Sequence, residues 1–306
     1  MAKSALAVNA EYFALRFFCA VVNAIPYPLA MMAARGLGWT AFNVFGFKRR
    51  RTLGRIRDVF PEKGIREARR IAVRSLQNVL QTGVEMMRAP RFDRKWMDRY
   101  VKDGQLYKDK LQSYVDEGKG VVIMVPHSGN WYMAAWSMAK YGLPIFAIAA
   151  RQRNPKLNAW MDSRYGDIEV LDRDCRDTLP QIRAKLSAGR AFAILPDLRV
   201  WDRDVEADFL GGRANVSRAG AAFAVKCGCP IVVAIMTRQD GRHVFNHIAT
   251  LRPDPNAADR KEEARRLTRE VMGLLSDEIM KTPGDWYWFN KRWIFEPPEG
   301  GFSKSA

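Results

Sequence analysis

The chain has 306 residues, 48% hydrophobic and 27% charged, with 22 glycines and 15 prolines; it can bury a sizeable core, and this is neither a disordered nor a collagen-like composition. Lys and Arg number 50 against 33 Asp and Glu, a net charge of +17, which calls for an anionic partner: nucleic acid, a lipid surface, or an acidic or phosphorylated substrate. Four cysteines and three histidines without metal-ligand spacing argue against a zinc site or a disulfide scaffold, so no metal and no cofactor is expected.

Residues 17–34 carry no charge and lie between Arg16 and Arg35, with Pro26 and Pro28 breaking the run. A spanning helix needs roughly 18 to 20 apolar residues, which this run just reaches. The basic cluster Lys48-Arg49-Arg50-Arg51, then Arg55 and Arg57, follows at once. Apolar segment plus polybasic flank predicts a membrane anchor held on anionic headgroups, and the positive-inside rule keeps the protein body on the cytoplasmic side. A Pro-kinked hairpin buried in a soluble core is the alternative. Residues 64–88 predict an amphipathic helix, with Ile65, Ala68, Ile71, Ala72, Val79, Leu80, Val84 and Met87 near helical spacing and Arg66, Arg69, Arg70 and Arg74 on the other face.

Strand and helix then alternate. Strands are expected at 121–126, 144–150, 168–171, 191–197 and 230–238, with a further one at 244–249 paired at an edge. Helices are expected from near Trp131, at 177–188, at 217–227 and at 258–281. The pattern implies an α/β fold with a mostly parallel central sheet flanked by helices and an N-terminal helical membrane extension. Two parts are expected: residues 1–60, hydrophobic and basic and membrane-anchoring, and residues 61–306, catalytic.

The most informative segment is Val125-Pro126-His127-Ser128-Gly129-Asn130-Trp131. It places a histidine directly after a buried strand and before a helix, where open α/β sheets bind ligands. The positive end of the helix disfavours imidazolium, so His127 suits a general base. Gly129 is expected to let the backbone approach a substrate closely. A capping or packing histidine is the alternative reading.

His-Ser-Gly-Asn-Trp after an apolar strand resembles the first block of the bacterial lipid A late acyltransferase family, which includes lauroyl and myristoyl transferases and the mycobacterial phosphatidylinositol mannoside acyltransferase. Further blocks in order carry the resemblance. They are Phe60-Pro61; Arg151 with Asn154-Pro155 and Arg164 before Gly166; Leu195-Pro196-Asp197 and Val205-Glu206-Ala207-Asp208-Phe209-Leu210-Gly211; Cys229-Pro230-Ile231-Val232-Val233; and Pro283-Gly284-Asp285-Trp286-Tyr287-Trp288 with Lys291-Arg292-Trp293. The resemblance implies a glycerolipid-acyltransferase-like fold. It also implies an enzyme that moves a fatty acyl group from acyl carrier protein or coenzyme A, as co-substrate, to a hydroxyl of a lipid A precursor or related glycolipid or lysolipid. His127 would be the base, and no acyl-enzyme is needed.

This sequence departs from the family in one respect. The family's histidine is followed after four residues by an acid, which orients the imidazole; here the fifth position after His127 is Tyr132. Three readings stay open: Glu206 substitutes for the acid, Tyr132 orients His127 with lower activity, or the chain is a catalytically impaired lipid-binding relative. On the first reading, Glu206→Gln lowers transfer nearly as far as His127→Ala. Asn130, Arg151, Arg164 and Asp197 are the expected substrate-binding residues. The guanidinium groups would meet a phosphate or a developing oxyanion, and Asp197 would support the site by hydrogen bonding. The aromatic run Trp286, Tyr287, Trp288, Phe289 and Trp293, interleaved with Lys291 and Arg292, suits a membrane interface, single-stranded nucleic acid, or the edge of a core. No nucleic-acid-binding motif accompanies the charge, so lipid is the expected partner and nucleic acid the alternative.

Overall fold

The computed structural model describes residues 4–200, 204–291 and 293–295. Ser4 caps the first helix through its hydroxyl, and α1 (Ala5–Ala24) runs until Pro26 stops it. Pro26 and Pro28 then sit at the start of α2 (Tyr27–Asn43), where a missing N–H does no harm. The uncharged run is thus two helices, and among the described residues the one helix long and apolar enough to span a membrane is at Leu6–Ala24. Next come α3 (Arg49–Val59) and α4 (Ile65–Arg88). Phe42, Ile56, Val59 and Phe60 join the same buried cluster as Trp286 and Trp288, so α2 and α3 pack directly on the rest of the chain.

The remaining helices are α5 (Arg94–Tyr100), α6 (Gly104–Tyr114), α7 (Trp131–Lys140), α8 (Pro155–Tyr165), α9 (Thr178–Ser187), α10 (Ala219–Cys227) and α11 (Arg260–Lys281). The strands are β1 (Val101–Lys102), β2 (Val121–Met124), β3 (Ile145–Ala149), β4 (Glu169–Asp172), β5 (Ala191–Ile194), β6 (Val205–Phe209), β7 (Gly212–Val216), β8 (Ile231–Gln239) and β9 (Arg242–Leu251). Seven strands form one sheet in the order β1-β9-β8-β2-β5-β3-β4, in which only β8 and β9 pair antiparallel. The α/β fold read from the alternation is the one observed. The edge beyond β9 is β1, two residues long, and β6 with β7 makes a separate hairpin outside the expected strands.

The central strands are apolar on both faces, as parallel strands between helix layers must be. Val121, Ile123 and Val125 pack with Met133, Ala134 and Met138 of α7 on one face. Val122 and Met124 pack with Ile182 of α9, Phe223 of α10 and Val271 of α11 on the other.

Part of the basic flank turns inward. Lys48 donates to the Phe289 carbonyl (3.3 Å), Arg51 to that of Lys291 (2.7 Å), and the buried Arg55 to those of Trp288 (3.0 Å) and Asn290 (2.7 Å). Arg50, Arg57, Arg66 and Arg70 remain exposed. The aromatic run is core rather than interface: Trp286, Trp288, Phe289 and Trp293 are all buried. Arg292 lies outside the described residues.

Candidate active site

β2 and β5 are parallel neighbours, with Met124 opposite Ile194. Both continue as apolar-Pro-polar, Val125-Pro126-His127 and Leu195-Pro196-Asp197, so the register carries His127 to the side of Asp197. His127 Nδ1 lies 2.8 Å from Asp197 Oδ1, and the His127 backbone N–H donates to Asp197 Oδ2 at 2.8 Å. Trp286 Nε1 donates to the same Oδ2 at 2.8 Å. The Asp197 side chain is fully buried, while His127 keeps 17% of its side chain exposed.

Burial alone would raise the Asp197 pKa. The His127 charge and the hydrogen bonds from His127 and Trp286 outweigh it and hold the carboxyl below its ordinary range. With Asp197 ionised, Nδ1 carries the proton and Nε2 is the free basic nitrogen.

The loop after His127 is clamped on the opposite side by the C-terminal segment. Tyr287 N donates to the His127 carbonyl (2.9 Å) and Gly129 N to that of Asp285 (2.9 Å). Gly129 has φ +56°, and a Cβ there would sit 2.1 Å from the Met236 carbonyl oxygen. Its smallness therefore serves contact with β8, not with a substrate as the sequence suggested.

Other expected site residues are placed differently. Tyr132 stacks on Trp136 (5.5 Å) and lies beside Trp131, whose ring meets His127 edge-on at 5.1 Å; its phenol is not the orienting group. Burial pushes the Tyr132 hydroxyl pKa up, so it stays neutral. Glu206 points outward from β6 and pairs with Arg213 (3.4 Å) across the hairpin, because alternation on that strand gives the inner face to Val205, Ala207 and Phe209. Arg151 pairs with Asp172 (2.8 Å) and Arg164 lies over Trp160 (5.0 Å), neither on the cavity described below.

Asn130 is fully buried and faces away from the substrate space. Its Oδ1 accepts from Met133 N (3.0 Å), capping α7, and its Nδ2 donates to Glu85 Oε2 (2.5 Å). Glu85 is the hub of a buried network. It also accepts from both terminal nitrogens of Arg238 (2.7 and 2.5 Å), from Tyr27 (2.7 Å) and from His243 Nε2 (2.8 Å). None of these groups was expected from the sequence, because α4 buries Asn78, Gln81, Thr82 and Glu85 in its second half while Val79, Leu80, Val84 and Met87 stay partly exposed.

His127 opens onto a cavity of about 860 Å³, near the top of the range for small-molecule sites, about 300–1,000 Å³. The cavity has two lobes that meet over the carboxyl ends of β2, β5 and β3. One lies under α7, floored by the rung Ile123-Ala193-Ala147-Val170 and walled by Ala134, Ala135 and Met138. The second lies on the opposite face, between Met124, Ile194 and Ile148 and helices α9, α10 and α11. No cysteine occurs among the described lining residues, and burial pushes the Cys229 thiol up to about 12.

Comparison with known proteins gives the same direction. The family described as bacterial lipid A biosynthesis acyltransferase matches residues 2–294, nearly the whole chain. The chain belongs to that family. Curated relatives are phosphatidylinositol mannoside acyltransferases. That of Mycolicibacterium smegmatis is 25% identical over 194 residues, 61% of this chain and 60% of that protein. That of Mycobacterium tuberculosis is 22% identical over 221 residues, 70% of this chain and 67% of that protein. The chain thus aligns with about 60% of the length of the first.

Proposed function

We propose that this protein transfers a fatty acyl group from a thioester, on acyl carrier protein or coenzyme A, to a hydroxyl of a membrane glycolipid, with His127 as general base. The observation that carries the reading is the His127–Asp197 pair, braced by Trp286, at the mouth of an apolar cavity. Nε2 removes the acceptor's hydroxyl proton as its oxygen attacks the thioester carbonyl. The tetrahedral adduct then collapses, the C–S bond breaks, and the imidazolium returns the proton to the departing thiolate. Asp197 stabilises the imidazolium between these steps. A carboxylate is therefore supplied despite Tyr132, which speaks against an impaired relative. The donor's acyl chain suits the α7 lobe, whose alanine floor leaves room for a chain. The acceptor is a glycolipid, a class that includes both the family's lipid A and the relatives' phosphatidylinositol mannoside.

Lipid mass spectrometry of cells making the wild-type protein, the His127→Ala variant or neither tests this. One lipid should lose the mass of one acyl group without the protein, and His127→Ala should not restore it. Restoration by His127→Ala would end the assignment of the base.

The membrane reading rests on α1 and α2. Leu6, Phe13, Phe17 and Val21 lie on a shared, exposed side of α1, and Leu29, Met32, Leu37 and Trp39 are exposed on α2. The exposed Arg50, Arg57, Arg66 and Arg70 add positive charge suited to the cytoplasmic face of an anionic membrane. Phe13→Asp with Phe17→Asp, at about 3 kcal/mol each for a charge deep in the bilayer, should move the protein from the membrane pellet to the supernatant. Sedimentation at high salt measures it, and an unchanged pellet fraction would remove α1 from the anchor.

A further inference from the structure

The second lobe is not needed to house one acyl chain, and its chemistry differs from the first. Its depth is hydrocarbon: Met124, Ile148, Ile182, Ile194, Phe223 and Val271. Its rim is mixed in charge. Arg218 is ion-paired with Asp204, whose other carboxylate oxygen accepts from the Arg218 backbone N–H at 3.0 Å; Ser217, Thr178 and Arg173, the last paired with Asp174 at 3.2 Å, also line the cavity. A phosphate-rich coenzyme would meet the Asp204 carboxylate and a guanidinium already neutralised. Sugar hydroxyls, which both donate and accept, fit such a rim. Besides His127, the polar side chains on the α7 side are the phenols of Tyr132 and Tyr165 and the Trp131 indole, with no ion pair among them.

We propose that the lobe between the sheet and α9, α10 and α11 holds a hydrocarbon tail of the glycolipid acceptor. Donor and acceptor chains then enter from opposite faces of the sheet, and the two reacting groups meet only over the carboxyl ends of β2 and β5, where His127 stands. This rests on the reading of His127 as the base of an acyl transfer. It adds that the protein takes the acceptor's tail out of the bilayer, not merely its headgroup.

Gly220 controls the space. A Cβ there would lie 2.5 Å from the Met124 methyl and 3.3 Å from Ile194 Cγ2, so a larger residue drives these side chains into the lobe or fills it directly. Leu179, exposed on the rim, can be enlarged without disturbing the core.

The full-length protein, in phosphatidylcholine–phosphatidylglycerol vesicles, is photolabelled with two probes. One is a thioether analogue of palmitoyl coenzyme A with a diazirine in the chain; the other is dodecyl glucoside with a terminal diazirine. Peptide mass spectrometry should find the first probe on α7 and β3 and the second on α9 and α10. Gly220→Leu should lower the second labelling about tenfold and spare the first; Leu179→Trp, should Gly220→Leu not fold, serves as the second variant with the same expectation. Ala135→Phe should do the reverse. Both probes on one set of peptides, or glucoside labelling untouched by either lobe variant, would overturn the two-lobe assignment. Failure of the base assignment shows instead in the His127→Ala lipid profile.

Discussion

Asp197→Asn should lower turnover by about 10⁴-fold, as removal of the analogous charge does in serine-protease triads. The asparagine side chain can present N–H to Nδ1, which moves the ring proton to Nε2 and leaves no base facing the substrate. It also removes the charge that stabilises imidazolium. KM for the thioester should change little, because Asp197 is fully buried and touches His127 and Trp286, not the cavity. Glu206→Gln should stay within about twofold of wild type, since an exposed pair such as Glu206–Arg213 contributes little. This reverses the expectation from sequence that Glu206→Gln would match His127→Ala. Steady-state kinetics on a purified acyl thioester, with thermal unfolding to confirm that each variant is folded, decides between them. A Glu206→Gln enzyme as slow as His127→Ala would restore the sequence reading and remove Asp197 from the relay.

Much of this arrangement is legible in the chain. The alternation of apolar runs and helical segments identified the parallel sheet because strands buried on both faces must be apolar at consecutive positions, as β2 and β5 are. His127 stood out because it ends such a run. Its partner was named only as a supporting residue, although Val125-Pro126-His127 and Leu195-Pro196-Asp197 share a pattern. The pairing of β2 with β5 is non-local, and strand order cannot be read from periodicity; once the register is known, the offset of the strands is the offset of the dyad. Trp286 was visible only as one ring in an aromatic run. Its place on Asp197 depends on the chain returning from α11 to lie against residues 127–129. Glu85 is not legible because the second half of α4 buries Asn78, Gln81, Thr82 and Glu85 while Val79, Leu80, Val84 and Met87 stay partly exposed.

That network carries the second large effect. Glu85→Ala should destabilise the protein by about 3–5 kcal/mol, because it leaves the Arg238 guanidinium buried without its counter-charge. Glu85→Met combined with Arg238→Met should recover at least half of the loss, since no uncompensated charge then remains. The loop holding His127 is tied to the same hub through Asn130 and through Thr82, which donates to the Gly129 carbonyl at 3.3 Å. The double variant should therefore regain stability without regaining full turnover.

The acid response follows from the same groups. Burial would raise the Glu85 pKa, but the charge and hydrogen bonds of Arg238, with the hydrogen bond from His243, hold it far below its ordinary 4.5. Its contribution is present above that value and lost as pH falls. Burial, aided by Arg238, depresses His243 below its ordinary 6.5 against the pull of Glu85, so at neutral pH it is neutral and donates from Nε2 to Glu85. Below pH 6.5 the unfolded chain takes up a proton that the folded one resists, so stability falls in the same direction. His247, depressed by burial and Lys110, adds to the trend. The melting temperature should begin to drop near pH 6.5, and His243→Gln, which keeps a donor and loses the titration, should move part of that onset towards the carboxylate range. A melting curve flat from pH 7 to 5 in the wild type, or an onset unmoved in His243→Gln, would show that the network does not set the acid limit.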